Sequence, residues 1–490
     1  MRTSSEAKLQ DAPQPRRWVP EARPLRRDGR YVLYWMTAAR RWRDNFALEH
    51  ALATATALDV PVLVLEALRV DYPWSSYRVH RFFLDGMAAN HRAFSAAGVL
   101  HYPYVEPSPG AGRGLLAALA SQAALVVTDH YPGHFLPAML RAAVAKVDAR
   151  FEVIDGCGLL PLQAGGRVFT TAASFRRHLQ KSLEPHLLAF PAAEPLWQQG
   201  RWPEAEVDPG ILRRWPPATL AALEADAPWA ALPFGEQVAP VPCRGGAAAA
   251  EVALRRFLDH DLAHYLSERQ SYSPDRSSKL SAYLHAGHLS PHGVCRALWA
   301  QCGWHPGRVA ARATGSREGW WGAPPEVEAY LDQLVTWREL NYNNAFGEPL
   351  RSQTLESLPR WAQATLAAHA GDPRRECYGM EALAKAETED RVWNVAQRQL
   401  VNEGRIHNML RMLWGKRILE WTHSPQEALR VMVDLNNRFA LDGRDPNSYG
   451  GILWVLGKFD RPWVPERPIY GTVRYMSSEA TRRKAKLGRL

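Results

Sequence analysis

The chain has 490 residues, with 60 Lys and Arg against 50 Asp and Glu, room for two or three domains around a large core. The net charge of +10 suits a polyanionic partner without specifying one. Five cysteines, odd in number and without a C-x-x-C pair, argue for a reducing compartment and against a structural zinc, so no metal is expected; no apolar run has the length of a membrane span and no signal peptide is visible. These features predict a soluble, intracellular (cytoplasmic) protein.

Residues 1–29, polar and rich in Pro and Arg, are expected to form a flexible basic arm. From residue 30 to 155 apolar runs of strand length alternate with helical stretches. The strands expected are Tyr31–Thr37, Val60–Leu65, Val99–Val105, Ala124–Asp129 and Phe151–Ile154. The helices expected between them fall near Trp42–Leu58, Tyr77–Ala97, Gly110–Ala123 and Leu136–Lys146. That alternation predicts a doubly wound parallel sheet, whose ligands bind beyond the carboxyl ends of the strands. Neither G-x-G-x-x-G nor a P-loop occurs, so no glycine-fingerprint nucleotide site is expected. His130 and His134 straddle Pro132 and Gly133, which break any helix that would aim both at a metal. Residues 156–244, rich in Pro, Ala and Trp, read as a connector with one clear helix over Phe175–Leu188; a helical domain is expected over 245–490.

In that second half Ser277–Ser281 (SSKLS) precedes a helix. Its hydroxyls and N–H groups make either an ordinary N-cap or a pyrophosphate cradle. Further on, Arg405–Trp421 places His407, Arg411, Trp414, Ile418 and Trp421 at 4-3-4-3 spacing on one helical face. Trp414 and Trp421 then lie about 10 Å apart along the axis. An arginine on that apolar face needs a buried partner, and Asp442 is the candidate.

The segments WNVAQRQL, GRIHNMLRMLWGKRILEW, LNNRFALDGRDPNSYGGILW and ERPIYGTVRYMS closely resemble the flavin-binding half of class II DNA photolyases, which split cyclobutane pyrimidine dimers with light. YWMTAARRWRDNFAL and VVTDHYPGHFLP resemble the photolyase antenna domain. The resemblance therefore implies a Rossmann-like α/β antenna domain, a long connector and a C-terminal all-helical FAD-binding domain, acting as a monomer on UV-damaged DNA. Ala38–Arg41 stand where the family has a DQR-like turn, which leaves an antenna chromophore open.

Position by position, the resemblance implies that Tyr265, Ser277, Ser278, Lys279, Leu280, Ser281, Asn408, Arg411, Asp442 and Gly443 contact FAD, with Asn436 by the flavin N5. It assigns Trp393, Trp414 and Trp421 to a path carrying electrons from the surface to oxidised flavin. Leu413 stands where the class often has Tyr. Met412 and Trp454 would line the lesion pocket and Glu339 would hold a base carbonyl. Arg461 and Trp463 would fill the bubble left by the flipped dimer, and Arg474 would contact the DNA backbone. Asn341–Phe346, beside Glu339, depart from the class pattern and are expected to reshape the lesion pocket. The alternatives are a flavin photoreceptor of the cryptochrome kind, a photolyase for another photoproduct, and a DNA-binding module without flavin.

Overall fold

A computed structural model describes residues 11–198, 202–349 and 351–488. Its first domain is built on a six-stranded sheet: β1 (Arg17–Trp18), β2 (Tyr31–Met36), β3 (Val62–Leu68), β4 (Leu100–Val105), β5 (Ala123–His130) and β6 (Phe151–Asp155), in the order β1-β6-β5-β2-β3-β4. All pairings are parallel except β1 with β6. The crossovers are α1 (Phe46–Leu58), α2 (Tyr77–Ala97), α3 (Leu115–Ala120) and α4 (Leu136–Lys146). β2 carries YVLYWM with every residue buried, the run expected of a central parallel strand covered on both faces. Side-chain caps set the crossover helices: Asn45 accepts from the Ala47 and Leu48 N–H groups, and Ser76 from that of Val79.

The structure corrects the expected loose arm. From residue 11 onward it is ordered, with Arg17–Trp18 added to the sheet edge. Buried Arg16 donates to the carbonyls of Asp155, Gly158 and Leu159. A buried guanidinium satisfied by carbonyls is a staple, so the arm belongs to the first domain; its first ten residues lie outside the described residues.

In the connector the expected helix runs Ala172–Ser182 (α5), and Arg176 on it pairs with Asp332 at 2.8 Å. The second domain is helical. The parts that matter for the site are α6 (Ser281–Ala286), the π-helical turn Asp332–Trp337 with α7 (Arg338–Gly347), α8 (Arg391–Glu403), α9 (Asn408–Trp421), α10 (Pro425–Phe439) and α11 (Pro446–Val455). The basic end is packed as well: Ser478–Lys484 is helical, Ala485 is buried and its carbonyl accepts from the Tyr272 N–H.

The domains meet at the carboxyl ends of the strands. Gly287, which ends α6 at φ +77°, lies so close to the first domain that a Cβ there would sit 1.7 Å from the Ala38 carbonyl oxygen. Only glycine fits that conformation and that approach. Among the described residues no helix is long and apolar enough to cross a membrane, and no cluster of metal-binding side chains occurs.

Candidate active site

α9 lies in the core of the second domain, with Leu410, Leu413, Trp414, Gly415, Lys416, Ile418, Leu419 and Trp421 buried. Its N-terminal face is the exception: Asn408 is exposed, and Arg411 and Met412 are half-buried. Asn408 is three residues from Arg411 and four from Met412, so the three share one face of the helix. His407 is the N-cap rather than part of the expected longer helix.

Arg411 donates to Asn436 Oδ1 and to Ser448 Oγ, each at 3.2 Å. Its expected partner Asp442 is 3.8 Å away, and Asp442 Oδ1 has no hydrogen-bond partner although it is buried. Asn436 turns its Nδ2 toward the Gly443 carbonyl at 2.9 Å and Ser448 Oγ at 3.0 Å. Gly443 is a close-approach residue, since a Cβ there would lie 2.8 Å from the Asn436 carbonyl oxygen. The ends of α10 and α11 therefore bring Asn436, Asp442, Gly443 and Ser448 against Arg411.

The Ser277–Ser281 loop lies beside the start of α9. α6 has Leu280 at its N-cap with no side-chain cap, so these serines are not the ordinary cap. Ser277 donates its N–H and hydroxyl to Asp275 Oδ1, and Lys279 sits at φ +57°. Asp275 gathers Arg405 at 2.9 Å and Lys279 at 3.6 Å and faces His407 at 3.9 Å. Burial opposes its charge, yet Ser277 and these cations hold Asp275 below the usual carboxylate range. Burial lowers His407. Tyr265 is buried in the core edge-on to Tyr330 at 5.4 Å, and the Tyr330 hydroxyl reaches Ser278.

A buried Asp442 oxygen without a hydrogen-bond partner, beside Lys279, exposed Asn408 and half-buried Arg411, fits a polar ligand with an anionic part; the residues expected to hold FAD therefore fit it.

In the core of the second domain the Trp393 indole N–H donates to the Trp414 carbonyl at 2.9 Å, and the Trp414 indole donates to Gln397 Oε1. The Trp393 and Trp421 rings lie 5.3 Å apart, and half-buried Tyr378 sits edge-on to Trp421 at 5.0 Å. Sequence reasoning missed Tyr378, which is in an irregular link without periodicity.

Trp454 stacks on Trp337 at 4.6 Å and 14°. Trp337 was missed although it begins the WREL run. Gln333, one turn earlier, is half-buried like it. Trp463 receives both the Arg461 and the Arg474 guanidinium, 4.7 and 4.8 Å from its ring centroid, and both arginines are exposed. They form a cationic, aromatic projection.

Glu339 is the correction. It is buried, accepting the Leu159 N–H at 2.7 Å and the Leu160 N–H at 3.1 Å. A Cβ on Gly158 would strike its carboxyl carbon at 2.6 Å. Burial pushes the carboxyl up to about 7 against those two amides and the charges of Arg338 and Arg16. Both oxygens are bonded to the connector, which is where the carboxyl points. The altered neighbours are structural too. Asn343 and Asn344 bond the Arg167 and Phe169 backbone, and Tyr342 donates to Asp445 at 2.6 Å. Asn341 binds Asn447 where Gly450 lets α7 and α11 touch.

A cavity of about 380 Å³ lies at the carboxyl ends of the strands, walled by Trp35, Arg40, Arg69, Tyr72, Tyr131 and Arg444 among others. The Ala38–Arg41 turn at its edge is held by Asp129, which accepts the Thr37, Ala38 and Ala39 N–H groups at 2.8–3.0 Å.

The same two-domain architecture is found in a bacterial class III photolyase from Agrobacterium tumefaciens (TM-score 0.63, 18% identity, 95% of this chain and 86% of that one). It is also found in a cryptochrome from Synechocystis (TM-score 0.65, 13% identity, 93% and 86%), so the fold is one shared by photolyases and cryptochromes. No protein-family profile matches the chain. A deoxyribodipyrimidine photo-lyase of Methanothermobacter thermautotrophicus is 31% identical over 464 residues, covering 94% of this chain and 93% of the relative. The chain belongs to the deoxyribodipyrimidine photolyase family.

Proposed function

We propose that this protein is a light-dependent deoxyribodipyrimidine photolyase that repairs cyclobutane pyrimidine dimers in DNA with FAD bound at the Arg411 cluster of the second domain. The single observation that carries the reading is the Arg411–Asn436–Asp442 cluster, on the helix whose tryptophans Trp414 and Trp421 pack with Trp393. The name of the relative at 31% identity supports the reaction.

Ser277, Ser278, Lys279, Leu280 and Ser281 would cradle the pyrophosphate, supported by Tyr265, with Asn408, Arg411, Asp442, Gly443 and Asn436 along the rest of FAD. When bound and reduced, FAD supplies the photoexcited electron that opens the cyclobutane ring and takes it back. The protein's part is to orient, to exclude water and to admit the lesion. Met412 and the flat Trp454–Trp337 pair give a flipped dimer an apolar wall. With Glu339 turned away, Gln333 is the polar side chain one turn from Trp337, and we assign it the contact to a base edge. Arg461, Trp463 and Arg474 form the surface that meets damaged DNA. Trp414, Trp393 and Trp421 carry electrons inward from the surface, with Tyr378 at the outer end. The sheet-side cavity, with its aromatic walls and Arg40, Arg69, Arg113 and Arg444, suits a flat anionic antenna chromophore. The protein acts as a monomer in a compartment that contains DNA.

The test gives chemically reduced, FAD-loaded protein dimer-containing DNA and blue light, and counts the dimers left. Loss of dimers only in the light is expected. Dimers that persist while the flavin is demonstrably reduced would reject repair in favour of a photoreceptor.

A further inference from the structure

The end of α10 and the loop 440–445 carry Asn436, Asp442 and Gly443, yet much of what fixes them comes from the other domain. Arg78, on α2, is buried, and its guanidinium donates only to carbonyls: Ala239 at 2.8 Å, Leu400 at 3.4 Å, Val401 at 2.6 Å and Phe439 at 2.8 Å. Among the described residues no carboxylate forms an ion pair with it. Leu400 and Val401 lie in the last turn of α8, which carries Trp393, and Phe439 ends α10, one turn after Asn436. A cation at two helix C-termini satisfies orphan carbonyls and opposes both dipoles.

Trp74, in the loop between β3 and α2, adds two more ties. Its indole N–H donates to Asp434 at 3.1 Å, and its carbonyl accepts from Arg444, which also donates to the Asn437 carbonyl. Trp74 sits at φ +59°, a left-handed conformation that a bulky residue adopts only where its surroundings impose it. Tyr131, after β5, donates to Asp445 at 3.2 Å. The segment from Asp434 to Asp445 is thus tied to the first domain at 434, 439, 444 and 445, and Asn436 and Asp442 lie between those ties.

We infer that Arg78, Trp74 and Tyr131 of the first domain are positioning residues for the flavin chemistry of the second, fixing Asn436 and Asp442 through the end of α10 and its loop. The inference rests on the proposed function above. Moving an amide and a carboxylate relative to a redox-active ring changes the balance between its oxidised and reduced forms, because their charges and dipoles act at short range in a poorly solvated site. Contacts that merely glued the domains together would change melting temperature and leave that balance alone.

The experiment uses the full chain loaded with FAD and compares Trp74→Phe, Tyr131→Phe, Arg78→Lys and Arg78→Met with the parent. FAD stoichiometry, thermal midpoint and the midpoint potential of the bound flavin are measured together. Trp74→Phe and Arg78→Met are expected to shift the flavin equilibrium by about fivefold or more, about 40 mV at 59 mV per decade for one electron. Arg78→Lys should fall between parent and Arg78→Met, since an ammonium keeps the charge but loses the fork. Unchanged potentials in the FAD-loaded variants, whatever their melting temperatures, would overturn the inference. If Arg78→Met does not fold, the two Phe variants decide alone. A parent protein that binds no FAD would remove the proposed function first and this inference with it.

Discussion

The indole of Trp393 is tied to the backbone of Trp414 by a 2.9 Å hydrogen bond while its ring packs on Trp421 at 5.3 Å, so one side chain from α8 bridges two tryptophans of α9. Trp414→Phe keeps most of the volume and removes an oxidisable ring. Photoreduction of oxidised flavin with an external donor should slow at least tenfold, a barrier higher by about 1.4 kcal/mol or more, while repair by pre-reduced protein survives. Tyr378→Phe should slow the same process less and leave repair untouched. Photoreduction at parental rate in Trp414→Phe would return these rings to packing alone.

Asp442→Ala removes the carboxylate 3.8 Å from Arg411. Arg411 keeps its bonds to Asn436 and Ser448. The cost should therefore fall below that of a broken fully buried pair, at about 1–3 kcal/mol. FAD content after gel filtration and a denaturant midpoint measure it; a variant equal to the parent in both would show the pair to be idle.

Glu339→Gln puts an amide N–H against the Leu160 N–H, where a carboxylate oxygen accepts at 3.1 Å. A buried donor left unpaired costs about 1–3 kcal/mol. Stability should fall by that amount and dimers repaired per photon should not change. Normal stability with impaired repair would restore Glu339 to the lesion.

Arg461 and Arg474 flank Trp463 on the surface. If each meets a phosphate, replacing both with Gln should flatten the slope of log binding constant against log salt by about 1.4 to 1.8. A slope unchanged for damaged duplex would place DNA elsewhere.

His288 accepts the Gly246 N–H on Nδ1 at 2.9 Å, which the neutral ring alone can do, and burial lowers its pKa to about 3. Unfolding then takes up a proton at this site as pH falls from about 6.5 to 3, so its contribution is full above that window and is lost through it, at up to about 1.4 kcal/mol per pH unit. In His288→Asn the acid limb of the stability profile should be shallower by that slope. An identical limb would show that other groups set it.

Periodicity made the first domain legible. Tyr77–Ala97 and Leu136–Lys146 were expected with the bounds observed, because each is a long helix with a clear stop. Trp42–Leu58 begins four residues late because Asn45 caps the helix. The Arg411 cluster was legible through one incongruous charge on an apolar face. Glu339 was not: a sequence shows that a carboxylate lies on a helix, but which face meets the connector depends on where residues 158–160 return. The five-residue hydrogen bonds of the π-helical turn at Asp332–Trp337 also rotate the positions that follow it. Tyr378 and Arg78 act through contacts with segments distant in sequence, which leave no local pattern.

The short strand Arg17–Trp18 has a consequence of its own. It lies along β6, whose outer backbone groups would otherwise form an open rim five residues long, Phe151–Asp155, with every residue buried. Rims of that kind recruit strands from other molecules. The antiparallel ribbon, pinned by Arg16, occupies part of the rim with the chain's own N-terminal segment and thereby shields β6 from self-association.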